Sequence, residues 1–216
     1  VPTELPYDLT PELAPLSWLI GAWEGQGRLG SGEDDSEIFY QRVDFTEHGL
    51  PFLEYRAESW LCEADGTFLR PLTVESGFWA LDRDRRDGDL GPGMRPADVV
   101  PAFRSAEDVE QLRREDNSFP ITATITHPGS ISELYYGVIR GPQGQLVTDS
   151  VLKGSAAGPY ETAQRIFGMV NTQLFWRWDV TVGGEESPHA SAILDRMPDP
   201  SQGRLAPGAP REPGRG

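Results

Sequence analysis

Three histidines and one cysteine are the residues of this chain with the most distinctive chemistry. His48 stands in the step Glu47-His48-Gly49, His127 precedes Pro128-Gly129, and His189 follows Pro188. An imidazole serves as a general base beside a nucleophile or offers a neutral nitrogen to a metal. The first role needs a partner at a recognisable spacing. No Gly-x-Ser-x-Gly, His-Glu-x-x-His or Walker-type phosphate loop occurs, so a hydrolase triad is not supported. Cys62 stands alone, which removes an internal disulfide and a cysteine-based zinc site. By type and position alone, a histidine after a proline at a strand start is a surface or hairpin residue more often than a ligand. His48 reads as a turn residue and His127 as a loop residue. The acidic runs Glu33-Asp34-Asp35 and Glu107-Asp108 read as solvated loops without a mechanism.

The run Gly21-Ala22-Trp23-Glu24-Gly25-Gln26-Gly27 superficially suggests a dinucleotide-binding loop. Such a loop follows a strand and opens a helix, whereas this one follows a predicted helix and enters a strand. Glycines alternating with one large aromatic instead let a first strand bend and a helix pack close, with Trp23 plugging one end of the fold.

The elements that must hold these residues are mostly strands. Thr10-Pro11-Glu12 gives an N-cap, a proline at the first helical position and an acid in the first turn. This predicts a short helix over 11–19 with Leu13, Leu16 and Ile20 on its apolar side. Beyond it the period becomes two. Ile121, Ala123 and Ile125 alternate with threonines, and Leu174, Trp176, Trp178 and Val180 alternate with Phe175, Arg177, Asp179 and Thr181. Further extended runs fall at 38–45, 52–61, 74–81, 132–139, 146–152, 161–169 and 190–196, separated by glycine- and proline-bearing turns. Many short strands without intervening helices favour an all-β, up-and-down antiparallel barrel, which removes exposed sheet edges. The polar stretch 82–118 reads as an insertion between neighbouring strands, with no legible role.

With 216 residues, 38% hydrophobic and 25% charged, the chain suits one domain with flexible ends. The barrel is expected over 10–197, after a flexible start at 1–9 and before a disordered Pro-, Gly- and Arg-rich tail at 198–216. A net charge of −15 and a single lysine, Lys153, argue against nucleic acid. No apolar run reaches the roughly 18 residues of a membrane span. No signal peptide is evident, and the lone cysteine suits a reducing cytoplasm.

Several segments together resemble the nitrobindin family. They are the predicted helix, the Gly21-x-Trp23-x-Gly25-x-Gly27 run, Pro51-Phe52-Leu53, Glu75-Ser76-Gly77-Phe78-Trp79, and Pro188-His189-Ala190-Ser191-Ala192-Ile193-Leu194. The likeness runs in order from about Leu13 to Arg196, leaving out the insertion. It implies a barrel of about ten strands, similar to lipocalins and fatty-acid-binding proteins. It also implies one ferric haem b per chain and isomerisation of peroxynitrite to nitrate, with nitric oxide as a further ligand and a homodimer as a possible assembly. His189 matches the family's axial histidine, whose neutral nitrogen takes the fifth iron position. No protein acid or base beyond the haem iron is then required. The chain departs from the family where Gly27 is followed by Arg28-Leu29-Gly30-Ser31-Gly32 in place of a further glycine and a Tyr-Pro pair. Thr73 replaces a common histidine, and Gln164 stands where some members carry lysine. The alternative is a haem-free carrier of a fatty acid or other apolar molecule, which needs an inward basic group such as Arg56, Arg165 or Arg177.

Overall fold

A computed structural model describes residues 9–30, 37–86, 89 and 100–198. The expected flexible start up to residue 8, the acidic run 33–35 and the expected tail from 199 onward lie outside the described residues.

Ten strands close into an antiparallel barrel. They are β1 (Gly21–Leu29), β2 (Ile38–Glu47), β3 (Leu53–Cys62), β4 (Phe68–Leu81), β5 (Phe119–His127), β6 (Ile131–Arg140), β7 (Gln143–Lys153), β8 (Thr162–Val170), β9 (Gln173–Val182) and β10 (Glu185–Arg196). Every strand pairs with its neighbour in sequence, and β1 pairs with β10 from Trp23 opposite Arg196 to Leu29 opposite Ala190. The alternation read from the sequence is the alternation of the wall. Ile121, Ala123 and Ile125 are fully buried, while Thr124 and Thr126 between and beyond them are exposed.

Two glycines let β1 sit tightly in this ring. A Cβ on Gly25 would lie 2.2 Å from the Ile193 carbonyl oxygen, and one on Gly27 would lie 2.3 Å from Phe39 Cζ. Close approach of neighbouring groups is therefore what the glycine run provides.

The ladder between β7 and β8 is the shortest of the ring. β7 and β8 pair only from Gln143 opposite Gly168 to Val147 opposite Gln164. At the next step the Thr148 hydroxyl donates to the Ala163 carbonyl at 2.9 Å and accepts from the Ala163 amide at 2.5 Å. Beyond it β7 continues along β6, and the Lys153 ammonium donates to the Tyr160 carbonyl at 2.6 Å.

The predicted helix is present at Pro11–Leu19, as a 3₁₀ helix containing Pro15. Its three-residue turn puts Leu13, Leu16 and Leu19 on one face, all fully buried, so Leu19 takes the place expected for Ile20. This face caps one end of the barrel. Trp23, also fully buried, donates its indole N–H to the Leu19 carbonyl at 2.8 Å, and the Arg196 guanidinium lies 4.1 Å from the Trp23 ring centre.

The described part of the insertion closes the same end. Phe103 and Val109 are buried in the core, and Ser105 caps a one-turn helix, Ala106–Val109, through a reciprocal box with Asp108. Arg83 pairs with Asp89 at 2.7 Å.

β4 and β10 are longer than the sequence suggested, for one reason. Each contains a proline beside a bulge, which reads in sequence as a strand boundary. Thr73 pairs with Ser59 and Pro71 with Trp60, leaving Leu72 as the extra residue. Pro188 pairs with Asp179 and Ala190 with Trp178, leaving His189 extra. His189 thus stands within the last strand and not at its start, and both bulges lie toward the open end.

Candidate functional site

A cavity of about 320 Å³ occupies the open half of the barrel, within the usual size range of small-molecule sites. Leu29, Phe39, Val43, Leu72, Trp176 and Trp178 give it apolar and aromatic walls. Lower down, Gln41 donates to Ser59 Oγ at 3.1 Å and accepts from the Trp176 indole at 2.8 Å, which satisfies that polar layer.

His189 lies on the cavity wall and stays accessible from the mouth. A regular strand would send neighbouring side chains to opposite faces, yet His189 and Ala190 both line the cavity. The bulge after Pro188, which has no N–H to give the ladder, makes this possible. The His189 carbonyl accepts from the Gly30 amide at 2.8 Å, which ties the bulge to the end of β1. Burial, reinforced by the positive charge of Arg165 and opposed by Glu75, pushes the His189 pKa below its ordinary value. The neutral imidazole required of a metal ligand is therefore favoured.

Beneath this wall lies a buried charge network of which sequence reading named only Arg165, as a candidate inward cation. Arg165, 3% exposed, forms a bidentate pair with Glu75 at 2.9 and 3.0 Å and donates to Tyr135 Oη at 3.1 Å. Tyr55 donates to Glu75 at 2.7 Å. Burial alone would raise the Glu75 pKa, but the Arg165 guanidinium outweighs it and brings the carboxyl down to about 2. Glu133 accepts from Tyr135 at 2.7 Å and from Tyr160. It also contacts His127 Nε2 at 2.5 Å. The available signal was parity. Glu75 shares its strand face with Trp79 and Leu81, and Arg165 shares its face with Ala163 and Phe167, all of them buried.

The other residues singled out from sequence fall into place around this centre. His127 is not a loop residue as expected: it ends β5, with its side chain 11% exposed between Glu133 and Glu75. The proline and glycine that follow it hid this position. His48 is the exposed turn residue expected, paired with Glu54 at 2.7 Å. Thr73 lines the cavity, as does Gly30. Gly21, Gly25 and Gly27 allow close approach of neighbouring groups and Trp23 closes the far end, and none of them brings a polar side chain to the cavity. Of the three arginines considered for a carrier, Arg56 and Arg177 are exposed and paired with Glu58 and Asp179. Arg165 points inward, but Glu75 neutralises it. A fatty-acid carboxylate would meet no free cation there.

The donor set fits a haem. Among the described residues no group of three His, Cys, Asp or Glu side chains could hold a bare metal ion. A single neutral imidazole beside flat aromatic walls suits a metal that brings a macrocycle as its other ligands. Among the described residues, no helix is long and apolar enough to cross a membrane.

The model of a THAP4-like, heme-binding beta-barrel domain matches residues 12–196. A protein of Micrococcus luteus named peroxynitrite isomerase is 76% identical over 216 residues, covering 99% of this chain and 96% of its own length. One of the same name from Pseudarthrobacter chlorophenolicus is 61% identical over 201 residues, covering 91% of this chain and 100% of its own. The crystal structure of Rv2717c from M. tuberculosis matches with a TM-score of 0.60 at 21% identity, over 88% of this chain and 99% of that one, a likeness of fold.

Proposed function

The chain belongs to the THAP4-like, heme-binding β-barrel family, and from that premise we propose that it binds one ferric haem b through His189 and isomerises peroxynitrite to nitrate. The observation that carries the axial assignment is the bulge. It turns one imidazole, held toward its neutral form, onto the wall of an aromatic cavity.

Ferric haem held by His189 would supply Lewis-acid chemistry for turning peroxynitrite into nitrate, an isomerisation with no net gain or loss of atoms or electrons. The protein's work is binding and enclosure. His189 gives the ligand nitrogen. Phe39, Trp176 and Trp178 give flat apolar surface and exclude water from the walls. Glu75 and Arg165, which both line the cavity, neutralise each other, so this pair presents no free charge to the anion. Nitric oxide, small and uncharged, is a second ligand proposed for the same cavity. The single thiol, Cys62, is buried and free, which supports a reducing cytoplasmic setting.

The test is reconstitution with hemin and removal of the unbound fraction. The native chain should show a stoichiometric Soret band and speed peroxynitrite decay, with nitrate as product. His189→Ala should lose the band while keeping its β-sheet circular dichroism. Unchanged haem content in His189→Ala would defeat the axial assignment.

A further inference from the structure

We propose that Trp178 is the positioning residue that sets the orientation of the His189 ring, an inference that rests on the axial reading of His189. A histidine that binds a metal usually donates its other ring N–H to a carboxylate or carbonyl, and this bond fixes the ring. Among the described residues, no hydrogen bond or ion pair reaches the His189 ring. The terminal torsion of a histidine is broad when unrestrained, and a bulge gives weaker backbone guidance than a regular ladder. Something else must hold the ring.

The group that touches it is Trp178. The two ring centres are 4.6 Å apart and nearly perpendicular, at 77°. This is a favoured edge-to-face arrangement of aromatic rings. The strand register enforces the meeting, because Trp178 pairs across the ladder with Ala190, the residue that follows His189.

Trp178 is itself held by its ring faces and not by its polar atom, since its buried indole N–H has no partner. His127 stacks on it at 5.6 Å with 14° between the planes, and Arg165 Cζ lies 4.2 Å from a ring centre of the indole. Both neighbours are anchored to the same two carboxylates. His127 reaches Glu133 at 2.5 Å and Glu75 at 3.4 Å, while Arg165 binds Glu75 at 2.9 Å and lies 3.9 Å from Glu133. The indole therefore links a rigid buried network to the ligand, in the place a hydrogen-bonding orienter usually fills.

Haem-free and haem-loaded forms of Trp178→Leu, Trp178→Phe and His127→Gln test this together. In the haem-free protein, Trp178→Leu should remove the ring-current displacement of the His189 ring protons, read by nuclear magnetic resonance. In the loaded protein, transfer of haem to excess apomyoglobin should accelerate about 10- to 100-fold, the range expected when the orienting partner of a ligand is lost. Trp178→Phe keeps a smaller aromatic edge, so it should retain part of the His189 displacement and release haem more slowly than Trp178→Leu, which separates positioning from a general loss of packing. His127→Gln keeps hydrogen bonding to the carboxylates but not the stack, and should fall between them. Native-rate haem release from Trp178→Leu, or unmoved His189 resonances in its haem-free form, overturns the proposal. Haem retained by His189→Ala overturns the axial assignment instead, and the positioning role falls with it.

Discussion

Arg165 and Glu75 show how a charged residue becomes readable once its strand face is known. Each stands on the inward parity of its strand, and together they form a buried bidentate pair. Removing one partner leaves an uncompensated charge in a dry interior. Arg165→Met should cost about 3–5 kcal/mol in denaturant unfolding, with part of it recovered when Glu75→Leu is added. Acid should act through the same pair. The Glu75 pKa is about 2 in the folded state against an ordinary 4.5, so its contribution is full above pH 4.5 and is lost as pH falls toward 2. Melting temperature should fall across that window more steeply in the native chain than in Glu75→Gln, which starts lower at neutral pH. The ligand role proposed for His189 came only from resemblance to a family. Its spacing alone pointed to a hairpin residue, because nothing in a Pro-His pair announces a bulge.

Regular elements were legible and their interruptions were not. Strict alternation at 121–125 and 174–180 marked β5 and β9, but prolines hid the first halves of β4 and β10, where bulges absorb the missing amide. The 3₁₀ helix was found as a helix but placed on the wrong period, since Leu13, Leu16 and Leu19 repeat every three residues. The bulge in β10 makes a sharp prediction. The turn at Gly183-Gly184 fixes Val182 opposite Glu185, while the downstream ladder fixes Trp178 opposite Ala190, and the two registers differ by one residue. Deleting Ser187 lets them meet without a bulge. His189 would then oppose Asp179 on the outer face, and hemin binding should be lost with every cavity side chain still present and the barrel's circular dichroism unchanged.

Across the whole molecule, composition and period together gave a closed barrel, because ten amphipathic strands with few helices have few other ways to bury one face each. The insertion resisted reading since its described core residues, Phe103 and Val109, are scattered among charged neighbours and find their place against the helix face. The net charge of −15 bears on the proposed substrate as an unfavourable field. Raising ionic strength from about 0.01 M to 0.15 M shortens the screening length from about 30 Å to about 8 Å. The bimolecular rate of peroxynitrite decay by the haem-loaded protein should rise over that interval. A rate that falls instead would mean that the field at the mouth is reversed in sign. The short ladder between β7 and β8 also sets how this ring deforms. A closed cylinder resists widening because any increase in girth stretches all of its ladders at once. Here the rim beyond Thr148 is joined across that gap by side chains, so it can yield like a split collar while the other nine ladders keep their hydrogen bonds. A flat guest wider than the resting aperture would then enter by a local hinge, and the far end, sealed by Trp23 and Arg196, would not have to move.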